Sequence, residues 1–382
     1  MRILHVCLSN FYVDNYNYQE NVLPLINKKD GHEVMIIASC FTYVDNIKLG
    51  YVEPREYYTK DGIKIVRVMH RIFGYNLMSR RIKSYPGIYR LIEAFKPDVI
   101  LFHGCHGWEL LTVSRYKKNH PNIKLYVDSH AEKGNSAKGW LSQNVLHKIF
   151  YRSIIKRCEK YIDKFFYISM ESGDFLKEMY GIDDAKTEFY SLGGIVYDKE
   201  KATDARKEVR KQLNIPDENL MIVQAGKMTL GKKLLETIRC ISRIKYECVT
   251  FVIVGSLSET IKVQILNMIY GDKRIKYLGW KSVDELMRLL MAADLYVQPG
   301  TCSVTAQNAI CCGCPVILSS RYEGYHLFVQ DNGWLVNTED ELYRALQEFV
   351  DCKNQLTDMK IASYKIARKY LDYSKLAARL YR

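Results

Sequence analysis

The stretch Gln298-Pro-Gly-Thr-Cys-Ser-Val-Thr-Ala-Gln-Asn-Ala-Ile-Cys-Cys-Gly-Cys-Pro-Val-Ile317 joins a polar loop, a short helix and an apolar strand. A Gly-x-Pro turn separates the helix from the strand. The first turn of a helix offers free backbone N–H groups and the positive end of the helix dipole to an anion. The residues at this opening and one turn beyond it are Thr301, Ser303, Val304, Thr305, Gln307 and Asn308. The stretch therefore predicts a pocket for an anionic ligand.

Apolar runs of four to six residues alternate with helix-length segments along the whole chain. Such runs are typical of strands covered on both faces, and their alternation with helices indicates parallel sheets with right-handed crossovers. The expected strands are 3–7, 34–38, 63–68, 99–103, 125–129, 165–169, 221–225, 250–254, 275–278, 295–298 and 316–318. The sequence thus predicts an α/β protein.

The pattern restarts once, after a charged segment that runs from Ile195 to Glu218. A chain of 382 residues also suits two domains better than one. We predict an N-terminal domain over 1–196 and a C-terminal domain over 197–360, both doubly wound and facing a cleft that holds the ligands. A final helix over about 356–382 is expected, and its part beyond 361 is expected to pack back towards the N-terminal domain.

Composition favours a packed protein of the cytoplasm. Hydrophobic residues make up 48% of the chain, yet no apolar run reaches the length of roughly 18 residues that spans a bilayer. The N-terminal residues Met1–Cys7 resemble a strand more than a signal peptide. Eleven cysteines without regular spacing suit a reducing compartment.

Lysine and arginine exceed aspartate and glutamate by 56 − 43 = 13. Such an excess can serve nucleic acid, an anionic membrane surface or phosphorylated substrates. The segments 70–83 and 148–157 mix basic with aromatic and aliphatic residues, which fits either a solvated helix face or a helix at the inner face of the cell membrane. No recognised nucleic-acid-binding module is present, so nucleic acid is not an expected partner.

Three loops after expected strands of the second half contain candidate ligand-binding groups. Gly226 lets a backbone approach closely, and Lys227 and Lys232 can place two ammonium groups on a diphosphate, although a solvated turn would look the same. Gly255 ends another strand. Gly279, Trp280 and Lys281 follow a third and can present backbone groups to a nucleobase. Ser282 and Glu285 fit a helix capping box.

The first half carries two polar loops suited to binding a sugar. One lies between the first strand and the first helix and includes Asn15, Tyr18 and Glu20. The other contains Asp128 and His130 at a strand end, where a histidine can bind a sugar or phosphate or serve only the structure. His103 ends a further strand. Neither the histidines nor Cys311, Cys312 and Cys314 match a zinc-binding spacing, so no metal is expected.

Together these loops resemble the GT-B glycosyltransferases of family 4, the glycosyl transferases group 1. The similarity covers nearly the whole chain and is strongest over 219–337. The matching segments are Gly31-His-Glu-Val34, Gly226-Lys-Met228, Lys232-Lys233, Val254-Gly255, Leu278-Gly-Trp280, Glu285-Leu286, Ala293–Pro299 and Gly313–Ile317.

The resemblance implies two Rossmann-like domains, with the donor in the second and the acceptor in the first. It implies transfer of a sugar from a UDP- or GDP-linked donor to a glycan or lipid-linked acceptor, with retention and without a metal or other cofactor. It places Lys227 and Lys232 on the donor diphosphate, His130 near the transferred sugar, and residues 279–281 at the base. The implied role is the synthesis of a surface polysaccharide or glycolipid.

The chain departs from the family pattern at two acidic positions. Family members carry two glutamates eight positions apart, and alignment on Ala309 and Gly313 puts Gly300 and Asn308 there. Asn308 can still bind ribose hydroxyls, but Gly300 offers no side chain. A catalytically degenerate partner subunit is therefore an alternative hypothesis, and a nucleotide-sugar epimerase is another.

Overall fold

The computed structural model describes residues 1–44, 48–72, 76–246 and 248–381. The chain divides into two compact units, Met1–Ser191 with Tyr373–Arg382, and Leu192–Asp372. The predicted boundary at 196/197 lies a few residues beyond this division. Residues 73–75 of the basic segment 70–83 lie outside the described residues.

The first unit contains an eight-stranded sheet with the strand order β10-β9-β8-β7-β1-β2-β6-β5. All neighbouring pairs are parallel except β5 with β6. Strands β3 and β4 form a separate antiparallel pair. The strands are β1 Arg2–Cys7, β2 Glu33–Ser39, β3 Phe41–Val44, β4 Lys48–Tyr51, β5 Arg55–Tyr58, β6 Lys64–Val68, β7 Val99–Phe102, β8 Lys124–Ser129, β9 Lys164–Tyr167 and β10 Thr187–Phe189.

The helices of this unit cover the sheet and bury its apolar side chains. They are α1 Gln19–Lys29, α2 Asn76–Ile82, α3 Ile88–Phe95, α4 Glu109–Asn119, α5 Arg152–Cys158 and α6 Met170–Phe175. Two π-helical segments, Ser142–Tyr151 and Leu176–Tyr180, and two 3₁₀ turns, Glu159–Tyr161 and Asp184–Lys186, complete it.

The second unit contains a fully parallel six-stranded sheet with the order β13-β12-β11-β14-β15-β16. Its strands are β11 Leu220–Ala225, β12 Val249–Val254, β13 Ile275–Tyr277, β14 Leu295–Gln298, β15 Val316–Ser319 and β16 Gly333–Val336. Its helices are α7 Lys199–Gln212, α8 Leu234–Arg243, α9 Glu259–Tyr270, α10 Val283–Ala292, α11 Val304–Cys311, α12 Glu323–Phe328, α13 Glu339–Asp351 and α14 Leu356–Ile366. Short 3₁₀ turns lie at Leu230–Lys232 and Lys353–Gln355, and a π-helical segment at Ala367–Leu371.

Both strand orders are those of doubly wound folds, so the predicted α/β class is confirmed. In such sheets the strand order reverses at one point. The connections that follow the two neighbouring strands there lead to opposite sides of the sheet, which leaves a crevice at the carboxyl ends of these strands. This point lies between β1 and β7 in the first unit and between β11 and β14 in the second. Every residue of β7, β11 and β14 is buried.

The expected final helix over 356–382 is not continuous. After the π-helical segment, Asp372 has an extended conformation, with φ −69° and ψ 106°. It forms a β-bridge with Gly194, whose N–H donates to the carbonyl of Leu371 at 2.8 Å. The chain then forms α15, Tyr373–Ala378, which packs on α1 within the first unit. The Tyr190 hydroxyl donates to the Leu376 carbonyl at 2.6 Å and anchors this helix.

Candidate functional site

The crevice of the second unit is built on two glycines that end neighbouring strands. Gly226 and Gly255 have φ angles of +125° and +127°, a region that side chains rarely adopt. A Cβ atom on Gly255 would lie 1.9 Å from the Gly226 carbonyl oxygen. The close approach of the two strand ends therefore requires glycine at 255, and the positive φ favours glycine at 226.

Lys232 lies directly over this glycine turn. A Cβ atom on Gly226 would be 3.9 Å from its Nζ, and the side-chain amide of Gln224 donates to the Lys232 carbonyl at 2.9 Å. Burial lowers the pKa of Lys232 below its usual value. Within the described part of the chain, no carboxylate lies within salt-bridge distance of this ammonium group. Lys227 is exposed beside it. The site therefore presents positive charge beside Gly226, where no side chain blocks the approach of a ligand.

The loop after β14 closes against the same turn. The Thr301 N–H donates to the Gly231 carbonyl at 3.0 Å, and the Gln298 amide donates to the Thr301 carbonyl at 3.1 Å. A Cβ atom on Gly300 would lie 2.0 Å from the Gly231 oxygen. The backbone of the opposing loop thus occupies the space that a side chain at 300 would need, and this position has no room for a glutamate.

The opening of α11 is tightly capped. The Ser303 hydroxyl accepts from the Thr305 N–H at 3.2 Å, and the Ser303 N–H donates to the hydroxyl of the buried Tyr325 at 2.8 Å. The Val304 side chain is 40% exposed. Asn308 faces Gly194, where a Cβ atom would lie 2.7 Å from the Asn308 amide oxygen.

The third predicted loop lies at the end of β13. Gly279 has a φ angle of +67°, and its carbonyl accepts from the Gly255 N–H at 2.7 Å. Trp280 is 74% exposed, which leaves its ring free to stack on a planar group. Lys281 pairs with Glu285 at 3.2 Å, and the capping box predicted at Ser282 is present.

A buried charge network that the sequence did not reveal supports this unit. Asp294 is fully buried and accepts from the Met221 N–H at 2.9 Å. It also pairs with Arg206 at 2.7 Å, Arg210 at 3.2 Å and Lys360 at 3.1 Å. These cations hold the pKa of the Asp294 carboxyl below its usual value despite its burial. The network ties α7 and α14 to the start of β14.

The crevice of the first unit contains a buried chain of hydrogen-bonded side chains. His5 Nε2 and Asn27 Oδ1 are 2.8 Å apart, and His5 Nδ1 and His103 Nε2 are 3.0 Å apart. His103 Nδ1 lies 2.6 Å from Asp128 Oδ2, while Asp128 Oδ1 accepts from the Gly104 N–H at 2.6 Å. Burial lowers the pKa of His5 to about 3, so this ring is neutral at physiological pH.

The chain ends at His130, whose side chain is 23% exposed. Its Nε2 lies 3.4 Å from Asp128 Oδ1 and makes no hydrogen bond there, so the interaction is electrostatic. Burial would lower the pKa of His130, but the Asp128 carboxylate outweighs it and raises the pKa to about 9. His130 is therefore an imidazolium at neutral pH and can donate hydrogen bonds to a ligand.

Two of the residues predicted to contact an acceptor have no accessible surface. His103 and Asp128 are both 0% exposed, so their geometry suits the positioning of His130 rather than direct contact with an acceptor. Glu20 is 6% exposed and accepts from the Asn10 amide at 3.2 Å. Tyr18 is 46% exposed, and Asn15 lies in the loop before it with a φ angle of +63°.

The described residues contain no group of three or more histidine, cysteine, aspartate or glutamate side chains that could hold a metal. Cys311, Cys312 and Cys314 are buried beside Gly194, Met287 and Tyr364 in the packing of α11. Within the same described ranges, no helix is both long and apolar enough to cross a membrane.

Comparison with known proteins agrees with this geometry. Residues 205–366, which contain the glycine turn, Lys232 and α11, match the family described as glycosyl transferases group 1. The chain has the GT-B fold, and its second unit resembles the glycosyl transferases group 1. An uncharacterised glycosyltransferase of Methanocaldococcus jannaschii is 23% identical to it over 309 residues, which are 76% of this chain and 73% of that protein.

Two solved structures share the fold of this chain over nearly its whole length. HepE of Anabaena, determined in complex with UDP, matches with a TM-score of 0.69 at 14% identity and covers 99% of this chain and 98% of its own. WaaG, a glycosyltransferase involved in lipopolysaccharide biosynthesis, matches with a TM-score of 0.62 at 13% identity and covers 100% of both chains.

Proposed function

We propose that this protein is a glycosyltransferase that transfers a sugar from a UDP- or GDP-linked donor to a glycan or lipid-linked acceptor. The observation that carries the donor class is the ammonium group of Lys232, which lies over the Gly226 turn without a carboxylate partner among the described residues. A partly desolvated cation beside a glycine turn suits a diphosphate. The complex of HepE with UDP supports the same donor class.

The proposed chemistry needs no metal, because the side chains can supply the positive charge. Lys227 and Lys232 would stabilise the negative charge that develops on the departing diphosphate, as preorganised cations do in other transfer reactions. His130, as an imidazolium, would donate a hydrogen bond to a sugar or phosphate oxygen and could not act as a base at neutral pH. We propose retention of configuration, in keeping with the family resemblance.

Calorimetric titration of the full chain with UDP and GDP tests the donor class. Lys232→Ala removes the charge over the glycine turn and should weaken binding by tenfold to a hundredfold, since a charge-assisted hydrogen bond contributes about 1.5–3 kcal/mol. Lys273→Ala is the matched control, because Lys273 is exposed just before β13, at the opposite end of the sheet. Equal losses in both variants would contradict the assignment.

We also propose that the first unit works at the inner face of the cell membrane, in the synthesis of a surface polysaccharide or glycolipid. The π-helical segment Ser142–Tyr151 and the residues before it expose Trp140, Leu141, Val145 and Ile149, of which three are more than 60% exposed. Exposed basic residues lie in the same segment and just after it, at Lys148 and Arg152. An apolar face bordered by cations suits an anionic bilayer surface. The biosynthetic role of WaaG supports this pathway class.

Sedimentation with lipid vesicles tests the membrane proposal. The wild type should bind vesicles of phosphatidylglycerol and leave neutral phosphatidylcholine vesicles in solution. Trp140→Ser with Ile149→Ser should reduce the bound fraction severalfold at unchanged melting temperature. Val263→Ser is the control, because Val263 is 71% exposed in the second unit. Failure of the wild type to bind anionic vesicles would exclude a peripheral membrane role.

A catalytically degenerate partner subunit is the second candidate function. The observation that favours it is the backbone of Gly231, which fills the space beside Gly300 where family members carry a glutamate. A degenerate subunit would bind no nucleotide, or would bind it without releasing sugar from any donor. The two candidates are separated by measuring the release of free UDP or GDP from a panel of nucleotide sugars. An active transferase releases the nucleotide by hydrolysis or transfer, and a degenerate subunit does not.

A further inference from the structure

The first unit contains a cavity whose lining includes none of the predicted site residues. Its volume is about 200 Å³, and it is partly open to solvent. It lies between the loop that follows β1 and the end of α2. Its lining residues are Leu8, Ser9, Asn10, Phe11, Ser39, Phe41, His70, Arg80, Lys83 and Tyr85.

Three of these lining residues are basic and none is acidic. Lys83 Nζ donates to the Ser9 carbonyl at 2.7 Å and lies 2.8 Å from His106 Nε2. An ammonium group has three N–H bonds, so these two neutral partners leave one donor unassigned. Burial lowers the pKa of Lys83 to about 7, and burial with the charge of Arg80 also lowers the pKa of His70.

Arg80 is held by aromatic rings and not by a carboxylate. Its guanidinium lies 4.7 Å from the centre of the Phe41 ring and 5.7 Å from that of Tyr51. Its Nε is buried and has no hydrogen-bond partner among the described residues. A buried donor without a partner costs free energy, and a ligand acceptor would recover it.

The carboxylates nearest to this cavity already have partners. Glu109 accepts from the Tyr85 N–H at 2.7 Å and from the Ser84 hydroxyl at 3.3 Å, outside the lining. Glu20 accepts from the Asn10 amide at 3.2 Å. Within the described ranges, neither Lys83 nor Arg80 forms a salt bridge. The cavity therefore contains Arg80 and Lys83 without a carboxylate partner for either among the described residues.

We propose that this cavity binds the phosphate group of a phosphorylated acceptor, and this inference rests on the proposed transfer function. Arg80 and Lys83 provide two cationic groups on separate parts of the lining, which suits the charge and the several acceptor oxygens of a phosphate better than a singly charged carboxylate. The rings of Phe11 and Phe41 form apolar walls for the sugar or lipid that bears the phosphate.

The test is calorimetric titration of the full chain with glucose 6-phosphate, glucose and inorganic phosphate. We expect glucose 6-phosphate and inorganic phosphate to bind and glucose to bind at least tenfold more weakly than its phosphate. Arg80→Gln should weaken phosphate binding about tenfold or more. Arg81→Gln is the matched control on the same helix, because Arg81 is exposed and lies outside the lining, and its affinity should equal that of the wild type.

A further variant and a vesicle assay complete the binding experiment. Arg80→Lys retains the charge without the fork of N–H donors and should recover part of the lost affinity, which separates a charge effect from misfolding. Vesicles with and without phosphatidic acid distinguish a lipid phosphate from a soluble one: loss of phosphatidic acid binding in Arg80→Gln but not in Arg81→Gln assigns the lipid source.

UDP titration in parallel separates this inference from the proposed function. If UDP binds and neither glucose 6-phosphate, inorganic phosphate nor phosphatidic acid does, the phosphate cavity is wrong and the donor site stands. Equal phosphate affinity in wild type and Arg80→Gln would also overturn it. If the wild type binds no nucleotide and no nucleotide sugar, the proposed transfer function fails first.

Discussion

Replacing Asp128 by asparagine should change the charge of His130, and the structure gives the size of the effect. Asp128 is fully buried, and its two oxygens lie near three donors, from His103, Gly104 and His130. An asparagine has only one oxygen at this position, and its amide group would face a donor. The substitution therefore removes the negative charge and leaves one buried N–H without an acceptor.

The pKa of His130 is raised from 6.5 to about 9. Since one pKa unit corresponds to about 1.4 kcal/mol, the folded protein favours the imidazolium by roughly 3 kcal/mol. Because the pKa is higher in the folded than in the unfolded state, this contribution is complete below pH 6.5. It is lost as the pH rises from 6.5 through about 9. Asp128→Asn should therefore lower the free energy of unfolding more at pH 6 than at pH 9.

The direct measurement is an NMR titration of the His130 ring in both proteins. We expect the pKa of His130 to fall from about 9 in the wild type to 6.5 or below in Asp128→Asn. Asp163→Asn is the control, since Asp163 accepts from the Leu125 N–H at the opposite end of β8. A wild-type His130 that titrates near 6.5, or one whose pKa is unchanged by Asp128→Asn, would refute the reasoning.

Three further predictions concern the second unit. Gly300→Ala should lower UDP affinity in calorimetry at least tenfold, because its Cβ atom would lie 2.0 Å from a backbone oxygen, whereas Gly324→Ala meets nothing within 4 Å and should leave affinity unchanged. Asp294→Ala should reduce stability to urea by about 3–5 kcal/mol, because it leaves the buried Arg210 without its carboxylate; a loss below 1 kcal/mol would contradict this role. Ser282→Ala should cost about 1 kcal/mol through loss of the helix cap, measured by thermal unfolding, and no change in melting temperature would argue against the cap.

The parallel core strands could be predicted from sequence because they are continuous apolar runs. All eleven expected strands are present, with ends that differ by at most two residues. Five other strands were missed. Strand β3 is mostly half-buried, β4 and β5 are mostly exposed, and together they mix charged, polar and aromatic residues, while β10 and β16 have only three and four residues. None of the five contains a continuous apolar run long enough to be distinguished from a loop.

The candidate site was predicted only where its chemistry follows a strand end. Gly226, Lys232 and His130 each follow an apolar run, so their place at a sheet edge could be inferred. His5 could not be inferred, because it lies inside the apolar run of β1 and has its partners only once the folded chain brings His103, which follows β7, and Asn27 on α1 beside it. Likewise Arg80 belonged to a segment that looked like a solvated or membrane-facing helix.

The positive net charge of this protein includes basic side chains in partly buried places, which composition alone did not indicate. Its buried carboxylates, such as Asp128 and Asp294, have several donors each, whereas Lys232, Lys83 and Arg80 lack acidic partners in the described ranges. Cations left unpaired in partly buried places destabilise a fold, and anions that bind them recover that free energy. Ligands with phosphate groups should therefore raise the melting temperature with increasing concentration. If they act on both proposed sites, UDP and glucose 6-phosphate together should stabilise the protein more than either does alone.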